Sequence, residues 1–159
     1  MHEPKQLLRR LIDAHVDFVL VGGLAGIVQG ATRVTQDVDI CASLSEANLA
    51  RLVGALSGAN PRFRGQPGRP LPSDPRALIG YKNLYLETDD GDLDVLGEIA
   101  GLGSFDQVRA RSVDLMLFGA PVRSLDLDAL IDAKRALHRE KDRSDLRELE
   151  LIRAKRRRP

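Results

Sequence analysis

The chain has 159 residues, with 24 Lys and Arg against 23 Asp and Glu for a net charge of +1, and only 4% aromatics with no Trp. That length suits one compact domain with a core of Leu, Val, Ile and Ala, and the near-neutral balance excludes a global electrostatic drive toward nucleic acid or anionic membrane. A lone cysteine, Cys41, excludes an internal disulfide, no apolar run approaches the ~20 residues of a membrane span, and Met1 to Lys5 lacks a signal peptide's apolar core, so a cytoplasmic protein is expected.

Residues 4–15 read as a helix, with Pro4 in the tolerant first turn and Leu7, Leu8, Leu11 and Ile12 at helical spacing. Phe18 to Val21 is a buried strand running into Gly22-Gly23, and Leu24 to Gln29 a brief helix stopped by Gly30. Thr35 to Ala42 reads as a strand of period two, with Val38 and Ile40 on one face and Asp37 and Asp39 on the other. Ser45 is placed to cap a helix through about Leu56. Residues 57–76, rich in Gly, Pro and Arg, read as a long loop whose length suggests a functional or mobile segment.

Two strands follow, Asn83 to Glu87 and Asp92 to Leu96, joined by the turn Thr88-Asp89-Asp90-Gly91. Residues 104–110 read as a short helix, and Asp114 to Phe118 with Pro121 to Ser124 as a second hairpin about Gly119-Ala120. Two helices close the chain, one capped near Ser124 or Asp126 and reaching about Leu137, the other starting near Asp142 with Leu146, Leu149 and Ile152 inward. The basic run from Arg153 reads as a frayed, solvated tail, with an RNA or partner contact as the sharper alternative. The interleaving predicts an α/β (α+β) fold: a single domain over 1–159 with a mixed sheet flanked by helices and a C-terminal helical part over about 124–155.

Asp37 and Asp39 lie roughly 6–7 Å apart along one strand face, close enough to converge on one cation. Like charges side by side are costly unless a positive charge stands between them. A carboxylate set without His or Cys favours a hard ion, and Mg²⁺ pairs such groups with substrate phosphates. Taken alone, an Asp-x-Asp pair is equally an exposed strand face. Gly22-Gly23, between a strand and a helix, lets backbone approach a phosphate; taken alone, it is equally a tight turn. Asp94 shares a strand face with Asp92, and a strand beside that of Asp37 and Asp39 would bring it to the same pair, whereas Asp92 is nearer the turn and solvent. His15 and His138 stand outside any zinc motif, and neither a P-loop nor a covalent nucleophile motif is present.

Together, Val21-Gly22-Gly23 and Thr32-Arg33-Val34-Thr35-Gln36-Asp37-Val38-Asp39-Ile40 resemble the signature of the nucleotidyltransferase superfamily, relatives of polymerase beta. The Arg-x-Thr-x-Asp-x-Asp-Ile form resembles its bacterial AbiEii-like branch, found in toxin–antitoxin and phage-defence systems. Thr88 to Leu96 is similar to the third-carboxylate strand of that branch, and Leu130 to Lys134 with Arg139 to Asp142 to its C-terminal helical motif. The resemblance covers roughly residues 5–150.

The resemblance implies that Asp37, Asp39 and Asp94 bind Mg²⁺ (or Mn²⁺), with Asp94 helping to deprotonate an acceptor hydroxyl. It implies that Gly22 and Gly23 touch the triphosphate of an NTP such as ATP or GTP, that Lys134 contacts phosphate, and that Arg33 and Thr35 shape the adjoining loop. Lys134 reads equally as a solvated lysine, and Asp142 as a helix cap. Many relatives carry Ser where this chain has Gly23, so one hydroxyl contact is missing. The expected reaction is transfer of a nucleoside monophosphate to RNA, including tRNA, or to protein, with a cognate toxin or antitoxin as partner. The alternative is a non-catalytic nucleotide-binding or protein-interaction module. A sugar-nucleotide glycosyltransferase would need a longer chain.

Overall fold

The computed structural model describes residues 4–159, so residues 1–3 of the N-terminal segment Met1 to Lys5 lie outside it. Helix α1 (Pro4–Asp13) buries Leu7, Leu8 and Leu11 completely, as their spacing predicts. It packs on α3 (Glu46–Leu56) and against strands β2 (Val38–Ala42) and β5 (Gly91–Leu96). Ser45 caps α3 by accepting the Asn48 N–H at 3.2 Å. Buried Asn48 ties the helix down by accepting from the Asp17 N–H at 2.8 Å and donating to the Ser43 carbonyl at 2.7 Å.

The remaining strands are β1 (Phe18–Val21), β3 (Arg62–Phe63), β4 (Asn83–Thr88), β6 (Glu98–Ile99), β7 (Gly103–Ser104), β8 (Ser112–Leu117) and β9 (Ala120–Leu125). The remaining helices are α2 (Gly22–Val28), α4 (Phe105–Ala110), α5 (Leu127–Leu137) and α6 (Arg143–Arg156). One mixed seven-stranded sheet runs in the order β3-β4-β5-β2-β1-β9-β8, and β6 pairs with β7 as a separate ribbon. Strand β2 is central, antiparallel to β1 and parallel to β5. The mixed sheet flanked by helices is the architecture that the element pattern predicts. A single hydrophobic cluster reaches from Leu7 in α1 to Leu149 in α6.

Three expectations need correction. The strand predicted from Thr35 begins only at Val38, and residues 31–37 are irregular. The reason is a missing partner: β1 reaches Asp39 at Val21, and the chain then turns into α2, so nothing pairs with residues 35–37. The segment 57–76 is not structureless. It contains a 3-10 turn at Ser57–Ala59, the start of another at Pro75–Leu78, and β3, which pairs with β4 through Arg62 with Glu87 and Phe63 with Leu86. Phe63 is buried, stacks on Tyr81 at 5.9 Å and lies under the Arg69 guanidinium at 4.2 Å.

The basic tail is not frayed at its start. Helix α6 continues through Arg156, which donates to the Gln29 side chain at 2.9 Å and to the Gln29 carbonyl at 2.8 Å, while Arg153 pairs with Asp128 at 3.1 Å. Asp126 rather than Ser124 caps α5, accepting from the Ala129 N–H at 2.7 Å. Cys41 is fully buried, and that burial pushes its thiol up to about 12, as for a structural thiol. Among the described residues no helix is long and apolar enough to cross a membrane.

Candidate functional site

Strand alternation sends Val38 and Ile40 into the core and Asp39 to the opposite face of β2. The parallel register places Asp39 directly opposite Asp94 on β5, and the antiparallel β4 places half-exposed Tyr85 opposite Asp94 on the other side. Asp37 sits at the mouth of β2, exposed, and its N–H donates to the Thr35 hydroxyl at 3.3 Å. All the candidate residues from the sequence line one cleft of about 620 Å³: Gly22, Gly23, Arg33, Thr35, Asp37, Asp39, Asp94 and Lys134. That volume is within the range of small-molecule sites.

Gly22 closes the floor. Its φ is +69°, and a Cβ there would stand 2.2 Å from Asp39 Oδ2, so both backbone and contact demand glycine. At Gly23 a Cβ would meet only the Thr35 side chain at 3.5 Å, an ordinary contact, so a serine would fit. The Thr35 hydroxyl lies 3.6 Å from that position, so a hydroxyl is present in this corner of the cleft without the serine.

The electrostatics of the carboxylates are unbalanced. Burial, and then the charges of Asp94 and Asp37 with a hydrogen bond to Asp94, raise the Asp39 carboxyl from 3.8 to about 6; Arg64 partly opposes this. The Arg64 guanidinium hydrogen-bonds Asp94 Oδ1 through Nη2 and the Leu86 carbonyl at 3.3 Å. Its Nε lies 3.4 Å from Asp92 without making a hydrogen bond. Burial disfavours the Arg64 charge, but the hydrogen bond to Asp94 and the charges of Asp94, Asp92 and Asp37 outweigh it and hold the proton more tightly than usual.

Among the described residues no trio of Asp, Glu, His or Cys side chains converges to metal-binding distances; Asp94 is engaged by Arg64 instead. The donor set nevertheless suits a hard divalent cation. It offers oxygen ligands only, and a cation would relieve the crowding that raises the Asp39 carboxyl.

The opposite wall comes from α5, α6 and the loop before β2. Lys134, 15% exposed, pairs with Asp142 at 3.0 Å and Asp145 at 3.6 Å. It is therefore not solvated, and neither is its carboxylate partner: Asp142, 7% exposed, also accepts from Arg139 at 2.5 Å. Asp142 precedes α6 but makes no side-chain cap; its oxygens are taken by the two cations. Arg33 reaches Asp145 at 2.6 Å, and Thr32 donates to Glu148 through its N–H at 2.8 Å and its hydroxyl at 2.9 Å. Sequence reasoning missed Arg64, Tyr85, Asp145 and Glu148. Arg64 falls in the Gly-, Pro- and Arg-rich run that reads as a loop, and no local pattern marks its contact across 30 positions with Asp94.

This arrangement of central strand, glycine turn and opposed carboxylates defines a class: the chain has the nucleotidyltransferase fold. It is similar over 95% of its length to 96% of a candidate nucleotidyltransferase from Thermotoga maritima, with 17% identity and a TM-score of 0.57. It is likewise similar to ANT(2″)-Ia, solved in complex with adenylyl-2″-tobramycin, with 15% identity, a TM-score of 0.57, and 94% and 92% of the two chains covered. An antigenic nucleotidyltransferase-like protein from Paracoccidioides brasiliensis matches at 17% identity and a TM-score of 0.56, over 95% of this chain and 77% of its own. No protein-family model and no curated protein sequence matches the chain.

Proposed function

We propose that the protein is a Mg²⁺- (or Mn²⁺-) dependent nucleotidyltransferase that moves a nucleoside monophosphate from an NTP to an RNA or protein hydroxyl. The observation that carries this reading is the in-register opposition of Asp39 and Asp94 above a glycine that admits no side chain. Asp37, Asp39 and Asp94 would hold the metal, which when bound supplies charge neutralisation and Lewis acidity at the phosphates. Gly22 and Gly23 let the backbone approach the triphosphate, and Lys134 and Arg33 offer it positive charge from the opposite wall. The acceptor oxygen attacks the α-phosphorus in line; the new O–P bond forms as the α–β bridge breaks and pyrophosphate leaves. Asp94 takes the acceptor's proton. Chemistry of this kind rests on positioning and electrostatics rather than on covalent participation by the protein.

The test is thermal unfolding against ATP, GTP, CTP and UTP with and without Mg²⁺, in wild type and in Asp37→Ala/Asp39→Ala. A Mg²⁺-dependent rise in Tm for one nucleotide, lost in the double variant, is the expected result; a ligand at about 100 times its Kd adds roughly 2.7 kcal/mol. No rise with any nucleotide in folded protein refutes the reading. A nucleotide-binding module without turnover is the second reading, favoured by the Arg64 contact that occupies Asp94; Mg²⁺-dependent binding with no product on any acceptor would select it. The AbiEii-like resemblance adds a cognate toxin or antitoxin as partner, checked by co-purification with the product of the adjacent gene.

A further inference from the structure

Arg33 and Lys134 approach the cleft from different elements, one on the irregular loop before β2 and the other on α5, yet both lie on one atom. Asp145 Oδ2 is 2.6 Å from Arg33 Nη1 and 3.6 Å from Lys134 Nζ. Asp145 sits in the first turn of α6 and lines the cleft beside Gly22 and Gly23, the backbone that the nucleotide reading assigns to the triphosphate. An anionic oxygen shared by a guanidinium and an ammonium, beside a glycine floor, is the environment a phosphate oxygen would seek.

We infer that Asp145 sets the affinity of the nucleotide site: its carboxylate occupies the place of a phosphate oxygen between Arg33 and Lys134 and is displaced when a triphosphate binds. The inference rests on the nucleotide reading above. Its neighbours distinguish Asp145 from the other acids of α6. Asp142 is 7% exposed and held by both Lys134 and Arg139, so it anchors Lys134 and stays in place. Glu148 takes the Thr32 N–H and hydroxyl and fastens the loop backbone. Asp145 is 23% exposed, makes no backbone contact among the described hydrogen bonds, and can turn to solvent without leaving a buried donor unpaired. Its release also frees the Arg33 side chain from α6, while Thr32 stays fastened to Glu148. At rest the two cations lie on this acid; with a triphosphate bound they face the phosphates instead.

The test is calorimetric titration of inorganic tripolyphosphate, and separately of Mg²⁺–ATP, into wild type, Asp145→Asn, Asp145→Ser and Glu98→Gln. Glu98 lines the same cleft without an ion pair among the described residues, so its variant reports the general effect of removing one negative charge. Removing the acid that pairs with Arg33 and crowds Lys134 should tighten tripolyphosphate binding about tenfold in both Asp145 variants and less than twofold in Glu98→Gln. Arg33→Gln should cost more affinity in the Asp145→Asn background than in wild type, where Arg33 is already occupied. Unchanged or weaker binding in both Asp145 variants overturns the inference, because Asp145 then serves only to position Arg33 and Lys134. An equal gain in Glu98→Gln overturns it as well. If wild type and variants all melt cooperatively but bind neither tripolyphosphate nor any NTP with Mg²⁺, the nucleotide reading itself has failed and takes this inference with it.

Discussion

Replacing Asp39 by Asn should stabilise the metal-free protein. Burial and the charges of Asp94 and Asp37 hold the Asp39 carboxyl at about 6 instead of 3.8. At about 1.36 kcal/mol per pH unit, ionising it in the folded state costs roughly 3 kcal/mol above pH 7. Asn keeps the shape, and its amide offers a donor to Asp94 where two carboxylates would otherwise face each other. For a chain of this length about 1 kcal/mol moves Tm by roughly 2–4 °C, so Asp39→Asn should melt about 6–12 °C above wild type at pH 8 in EDTA. The sign of the pH dependence follows from the direction of the shift. Between 3.8 and about 6 the folded state binds more protons than the unfolded state, so wild-type stability falls as pH rises across that window. The advantage of Asn should therefore fade below pH 6 and be small at pH 4. Melting curves of both proteins from pH 4 to 8 measure it directly. A variant that is less stable than wild type at pH 8, or an advantage that does not shrink toward pH 4, would refute the account of crowded carboxylates.

The glycine pair should respond asymmetrically. Gly22→Ala places a Cβ 2.2 Å from Asp39 Oδ2 at a φ of +69° and should cost about 2–4 kcal/mol in chemical denaturation, whereas Gly23→Ser should cost less than about 1 kcal/mol. Lys134→Met removes one of two cations from a carboxylate that is 7% exposed and should destabilise by about 1–3 kcal/mol at pH 7. Burial would raise the Asp142 carboxyl, but its hydrogen bonds to Arg139 and Lys134 outweigh that and hold it below 3.8. Its contribution is thus present above that value and lost as pH falls beneath it, so the gap between Lys134→Met and wild type should close in acid. Arg156→Ala should cost about 1 kcal/mol by leaving the buried Gln29 side chain without that donor, and no loss at all would mean that the helix end is as frayed as its charge run suggests.

What the sequence makes legible is the alternation of faces; what it hides is the choice of counter-ion. Asp39 and Asp94 could be placed on one cleft because period two puts them opposite Val38, Ile40, Leu93 and Val95, all fully buried, and Asp37 reaches the same cleft from the irregular segment just before β2. The same rule overran at Thr35 because a strand needs a partner as well as a pattern, and β1 ends by turning into α2 at Gly22. The fates of the charges depend on pairings that no window contains. Arg64 reaches Asp94 only because the two-residue β3 pairs with β4, which itself pairs with β5. Arg33 and Lys134 meet at Asp145 only because α6 folds back on α5 and the loop before β2. Both contacts put a side chain of the protein where the proposed function would put a ligand of the same charge, a guanidinium on a carboxylate proposed to hold metal and a carboxylate between cations proposed to hold phosphate. An acidic strand face costs stability when bare, as Asp39 shows, so a chain that keeps one must neutralise it at rest. Long-range ion pairs achieve that at a partly exposed surface, where each is weak enough to exchange. The residues hardest to read from the sequence, Arg64 and Asp145, are therefore those that the proposed function requires to move when its ligands bind.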